Sequence, residues 1–204
     1  LQCAREAGVD RVIYSSTSSG YGLKNTPPLK ESMPKDCLNP YSVTKCAGED
    51  LCQMYYTLYG LKTITLRYFN VYGERQPIRG EYAPVVGLFL RQYATGQKMT
   101  IVGDGTQRRD FTYIKDVVGA NMAALQSTND KSYGEIFNVG TGKNYSINEL
   151  TSIIGGKTTN LPERPGEAHI SLADTTKILT LLNWKSKYSL EEWLQLEIGK
   201  INED

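Results

Sequence analysis

Two short runs rich in β-branched and aromatic residues, Arg11 to Ser16 and Lys62 to Phe69, flank a segment that reads as one long helix. The helix is bounded by local chemistry. Asn39 is an N-cap residue, Pro40 suits the first helical position, and Gly60 suits the stop. Along it Ala47, Leu51, Met54, Tyr55 and Leu58 form an apolar stripe, and Cys52, Tyr56 and Tyr59 are read as the outer face. Strand, helix, strand in this order predicts a parallel βαβ unit, because parallel neighbours need a crossover of this length.

The remaining periodicity is more mixed. Helices are expected near 84–93, 116–125, 147–154, 175–182 and 190–199, and strands at 99–102 and 135–139. The fold class is therefore α/β: the carboxyl-terminal part of a Rossmann-like, doubly wound parallel sheet, joined to a smaller mixed α/β domain. Residues 1–79 and roughly 106–145 are assigned to the first, roughly 80–105 and 146–204 to the second. Leu1 to Ala7 reads as the end of a helix with no strand before it, so the chain is read as the carboxyl-terminal piece of a longer protein.

Composition narrows the function classes. The 204 residues carry 23 Lys and Arg against 22 Asp and Glu, and a net charge of +1 argues against nucleic acid as the main partner. No apolar run approaches the roughly 18 residues that span a bilayer, and the start has no signal-peptide pattern. Cys3, Cys37, Cys46 and Cys52 include no C-x-x-C pair, which suits reduced thiols in a cytoplasmic protein. His169 is the only imidazole, so a metal site with two His ligands is excluded.

The strongest chemical signal is Tyr41-Ser-Val-Thr-Lys45. Residues four apart share a helix face, so phenol and ammonium lie one turn apart. A phenol is a poor base at neutral pH, and a neighbouring cation favours its phenolate; this is how a tyrosine can take a hydroxyl proton. Ser15 to Gly22, rich in hydroxyls, follows the first strand, and Arg67-Tyr-Phe-Asn70 ends the second. In open α/β sheets ligands bind beyond the carboxyl ends of the strands, which brings these segments to one crevice.

Val12 to Gly22, Asn39 to Lys45, Leu66 to Gly73, Gly103 to Phe111, Asn138 to Gly142 and Arg164 to Glu167 together resemble the extended short-chain dehydrogenase/reductases, in particular the nucleotide-sugar epimerases and dehydratases. The resemblance covers almost the whole chain in order, and it implies NAD as cofactor and a UDP-sugar as substrate. It implies that Thr17 hydrogen-bonds the reacting sugar hydroxyl, that Tyr41 transfers the proton, and that Lys45 tunes Tyr41 and holds the nicotinamide ribose. It places Phe69 at the nicotinamide end through its backbone and Asn70 on the substrate phosphates. Arg109 and Arg164 become the diphosphate clamp, with Arg108 left as a surface charge, and Glu167 contacts the nucleotide ribose. It also implies a homodimer built on the Tyr–Lys helix.

Two departures refine this expectation. The family's phosphate-cradling G-x-x-G-x-x-G is absent from the 204 residues, so the chain alone is expected to be inactive. Where dehydratases resembling this sequence carry Asp-Glu after the catalytic Thr, Ser18 and Ser19 stand, and hydroxyls are too weak as acids to serve as a general acid/base pair. The expected reaction is therefore 4-epimerisation of a UDP-hexose, with a uronate decarboxylase, a dehydratase or a nucleotide-sensing, non-catalytic relative as alternatives. In resembling epimerases the position four after the acidic residue of R-x-G-D/E gates room at the sugar C2. Here that is Ser171, small enough to admit an N-acetyl group as well as plain glucose and galactose.

Overall fold

The computed structural model describes residues 1–80, 83–163 and 168–203. Its first elements are α1 (Gln2–Glu6), β1 (Arg11–Thr17), α2 (Pro40–Tyr59) and β2 (Lys62–Tyr68). Next come β3 (Val71–Tyr72), α3 (Val85–Ala94), β4 (Met99–Val102), β5 (Arg108–Arg109), β6 (Thr112–Tyr113) and α4 (Ile114–Gln126). The chain finishes with β7 (Glu135–Val139), β8 (Tyr145–Ser146), α5 (Ile147–Ile154), β9 (Thr158–Leu161), α6 (Thr176–Leu182) and α7 (Leu190–Glu203).

β1, β2 and β7 form one parallel sheet in that order, and α2 is the crossover between the first two, as the strand–helix–strand pattern requires. Residues alternate across the sheet, and in β2 the two faces differ in kind. Ile64 and Leu66 join an apolar core with Phe137 and Val139 of β7, Val117, Ala120 and Ala124 of α4, and Ile178 and Leu182 of α6. Thr63 and Arg67 point the other way: Thr63 Oγ1 donates to Cys52 O of α2 at 2.9 Å, and Arg67 pairs with Glu49 of α2.

α2 therefore covers a polar sheet face, and this turns much of its expected apolar stripe outward, although Tyr59 is exposed as read. Its buried residues are Ser42, Cys46, Glu49 and Cys52, whereas Ala47, Leu51 and Leu58 of the predicted stripe are exposed. Cys52, read from the sequence as outward, lies inside, and Tyr56 packs against the core beneath β2. The reason is steric as well as chemical. The Tyr14 side chain of β1 reaches up against α2, so that a Cβ on Gly48 would stand 2.2 Å from its hydroxyl and the glycine makes room for it.

A second core gathers α3, α5 and α7 around β4, with Phe89, Leu150, Trp193 and Leu194 buried together. The short strands pair two by two across long stretches of chain: β3 with β6, β4 with β9 and β5 with β8. These pairings carry the segments 70–72 and 107–113 to the carboxyl end of the main sheet, and this is where the candidate site lies.

Candidate active site

Local capping sets the start of α2. The Asn39 side chain accepts from Ser42 N at 2.8 Å and the Ser42 hydroxyl accepts from Asn39 N at 3.3 Å, a reciprocal box that leaves Tyr41 in the first turn. Tyr41 is 55% exposed, as a group that must meet a ligand should be. Lys45 Nζ lies 5.9 Å from the Tyr41 ring centroid and donates to Ser15 O at 2.9 Å, which ties the helix to the carboxyl end of β1. Thr17, the last residue of β1, is buried; its Oγ1 accepts from Ser19 N and donates to Ser19 Oγ, both at 3.1 Å.

A cleft of about 210 Å³ opens beside these elements, lined by Ser18, Ser19, Asn39, Asn70, Arg109 and Ser171 among others. A second, of about 250 Å³, is more apolar: Val85, Leu88, Phe89, Val102, Ile147 and Leu161 wall it, with Thr100 and Gln107 as polar groups. Asn70 and Arg109 line both. Thus one amide and one guanidinium stand where a polar-walled cleft meets an apolar one.

Both are held by backbone. Asn70 Nδ2 donates to Asp110 O at 3.0 Å, and an Arg109 guanidinium nitrogen donates to Arg108 O at 3.0 Å and His169 O at 3.4 Å. Asp110 is fully buried and its carboxylate accepts from the backbone of Thr141, Gly142 and Ala173. Burial outweighs those bonds and pushes its carboxyl above the ordinary range. Arg108, read from the sequence as a surface charge, bonds Asn144 Oδ1 at 2.8 Å and Glu149 at 2.9 Å, fastening β5 to α5. The Phe69 ring is buried 6.2 Å from Tyr21, while its N–H bonds Val139 O at 3.0 Å. Ser171 is buried on the wall of the first cleft, and among the described residues its Oγ has no hydrogen-bond partner. Arg164 and Glu167 lie outside the described residues.

Of the residues picked from the sequence, Asn70, Arg109 and Ser171 share one cleft, and Tyr41 and Thr17 adjoin its lining residues Asn39 and Ser18. The apolar cleft was not foreseen. Gln107 stands in the Gly103–Phe111 segment, but its wall is assembled from α3, β4, α5 and β9, which no single motif spans.

The sequence profile of the NAD dependent epimerase/dehydratase family matches residues 1–140. The chain belongs to that family. It is 38% identical over 202 residues to a putative UDP-glucose 4-epimerase of Methanocaldococcus jannaschii, covering 96% of this chain and 64% of that protein. It superposes with a TM-score of 0.91 on a UDP-N-acetylglucosamine 4-epimerase of Methanobrevibacter ruminantium M1, solved in complex with UDP-N-acetylmuramic acid. Identity there is 34%, over 100% of this chain and 66% of that one. A UDP-glucuronic acid 4-epimerase of Bacillus cereus, solved with UDP-glucuronic acid and NAD, gives 0.87 at 34% identity, over 99% of this chain and 64% of that one. This epimerase-family chain thus spans just under two thirds of the length of these relatives, and NAD is the family's cofactor.

Among the described residues no helix is long and apolar enough to cross a membrane, and no group of three or more His, Cys, Asp or Glu is placed to hold a metal ion.

Proposed function

We propose that these residues carry the substrate-facing half of a UDP-hexose 4-epimerase that works through a 4-keto sugar. The observation that carries the reading is the junction of the two clefts at Asn70 and Arg109. An apolar slot with two polar groups suits a planar base. A guanidinium suits a diphosphate, because its fork binds phosphate oxygens bidentately. The polar cleft beyond then takes the hexose, next to Thr17 and Tyr41.

In this reading the Thr17 hydroxyl bonds the sugar O4 and Tyr41 takes the O4 proton, with Lys45 favouring the phenolate. Lys45 and Tyr41, with the Phe69 backbone, form a donor set suited to a ribose and a nicotinamide amide. Held by these groups, NAD would supply a hydride acceptor and donor for C4 of the sugar. Arg109, Asn70, Arg164 and Glu167 anchor the nucleotide while the sugar turns. Ser18 and Ser19 give the hexose cleft neutral hydrogen-bonding walls, which favours a neutral sugar over a uronate and leaves no carboxylate pair for dehydration. The small Ser171 leaves room for an N-acetyl group. The working enzyme is a homodimer.

The test is turnover of UDP-Glc, UDP-GlcNAc and UDP-GlcA by the full-length protein that carries these residues, with Tyr41→Phe and Arg109→Ala. Tyr41→Phe is expected to lower kcat by about 10²–10⁴ while nucleotide-sugar binding persists. Arg109→Ala is expected to raise Kd for UDP about ten-fold or more, since a hydrogen bond to a charged group contributes about 1.5–3 kcal/mol. Wild-type activity surviving Tyr41→Phe, or preference for the uronate, refutes the reading.

A further inference from the structure

One row of side chains crosses the sheet a single residue before Thr17. Ser16, Arg67 and Asn138 are register partners on β1, β2 and β7. Glu49 of α2 sits over the first two. Ser16 Oγ donates to Glu49 Oε1 at 2.6 Å, and Arg67 donates through Nε and an η nitrogen to the two Glu49 oxygens at 2.8 and 2.7 Å. The Arg67 guanidinium also lies 4.7 Å from the Tyr21 ring centroid, and the Tyr21 hydroxyl donates to Asn138 Oδ1 at 2.7 Å. Arg67 is 2% exposed and Glu49 is sealed at 0%.

A bidentate pair this deeply buried is weak evidence of stabilisation. The desolvation of both ions rivals their attraction, and well-packed apolar residues of similar volume usually serve stability as well. Burial alone would raise the Glu49 carboxyl; its bonds to Arg67 and Ser16 hold it below the usual range, so the charged form is the one kept. What the pair does supply is direction. Fork-on-carboxylate geometry fixes both distance and rotation, which an apolar contact does not.

The direction matters because of where Glu49 stands. It lies four residues after Lys45, on the same helix face, and Lys45 Nζ bonds Ser15 O, adjacent to Ser16. Two ties from consecutive turns of α2 thus end on consecutive residues of β1, immediately before Thr17. Lys35 adds a third from outside, bonding Cys46 O at 3.0 Å and lying 3.4 Å from Glu49.

Resting on the function proposed above, we propose that the buried Ser16–Glu49–Arg67 row is a positioning device, setting the height and rotation of α2 on the sheet so that Tyr41 and Lys45 meet the hydroxyl held by Thr17. These three are positioning residues; none touches the reacting atoms. The row acts on kcat more than on substrate affinity, because Arg109, the guanidinium assigned to the diphosphate, lies on β5, away from the row.

The experiment compares wild type, Ser16→Ala, Ser16→Thr and the double variant Glu49→Leu/Arg67→Met in the full-length protein that carries these residues, reading kcat, KM and melting temperature. A displacement of about 1 Å in a reacting group costs as much as 10²-fold. Ser16→Ala is therefore expected to lose about ten-fold in kcat, and the double variant about a hundred-fold. KM should stay within about two-fold and the double variant's melting temperature near wild type. Ser16→Thr, which keeps the hydroxyl, is expected to recover most of the rate. Wild-type kcat in Ser16→Ala, or in a folded double variant, overturns the proposal, and Ser16→Ala decides the matter if the double variant does not fold. A second readout needs no substrate: the ¹³Cζ resonance of Tyr41, assigned with Tyr41→Phe, should move in Ser16→Ala, and an unmoved signal also overturns it. A wild type that turns over no UDP-hexose refutes the function proposed above, and the Tyr41 signal then still tests the row.

Discussion

Ser171 stands in the wall of the cleft that also holds Arg109, its hydroxyl without a hydrogen-bond partner among the described residues, and its side chain is the smallest polar one that could stand there. A tyrosine at this position would push a ring into a cleft of about 210 Å³, and overpacked sites reject the bulkier ligand first. Ser171→Tyr is expected to cut kcat/KM for UDP-GlcNAc by about 10–200-fold more than for UDP-Glc, on the scale of a steric difference in a pocket. Equal losses on both substrates remove Ser171 from the specificity of the site. Residues of this kind are legible in a sequence when their chemistry is local. Tyr41 and Lys45 announce themselves by a four-residue spacing, whereas Thr17 is singled out from its hydroxyl run only by the family resemblance. Glu49 and Arg67 do not, because charged residues are ordinarily exposed and a helix Glu and a strand Arg give no sign that they are each other's partners. Only the fold, which sets Ser16 opposite Arg67, makes them a pair.

At the scale of the element, α2 shows both what local sequence determines and what it leaves open. Its two ends follow from Asn39, Pro40 and Gly60, and they fall where those residues predict. The cap also touches the candidate site, since Asn39 lines the polar cleft and fixes the turn that carries Tyr41. Asn39→Ala is expected to cost about 0.5–2 kcal/mol of stability, the usual range for a lost cap, whereas Asn39→Asp should cost little. Chemical denaturation measures this; an alanine variant as stable as wild type would show that Pro40 alone holds the helix start. Which face of α2 turns inward was not legible. Periodicity locates an apolar stripe but not the surface that receives it, and here the sheet face beneath the helix is made of Thr63, Arg67 and Ser16. The two-residue strands β3, β5, β6 and β8 escaped for a related reason: each exists only because a distant segment supplies its partner.

For the whole molecule, the reversed helix means that Val43, Ala47, Leu51 and Leu58 form one apolar stripe on the outside of α2, with Leu51 49% and Leu58 66% exposed. Their spacing, 43, 47, 51 and 58, keeps them within about a quarter-turn of one another at the 3.6-residue period. A second copy of the chain is the occupant expected here, placed on the stripe in an isologous pairing where each α2 buries the other's leucines. The proposed homodimer thus moves to another face of α2: Ala47, Leu51 and Leu58, first read as core, are joined by Val43, while Cys52 is buried and Tyr56 packs on the chain's own core. Burying a leucine fully contributes about 1.5–3 kcal/mol, and a two-fold axis counts each substitution twice. Leu51→Glu is therefore expected to weaken the dimer by at least about a hundred-fold, with a further loss from Leu58→Glu and little change in melting temperature once the chain is monomeric. Light scattering of the full chain across micromolar concentrations reads the outcome directly. A wild type that is monomeric there, or a Leu51→Glu/Leu58→Glu variant that still dimerises, leaves the stripe without this partner.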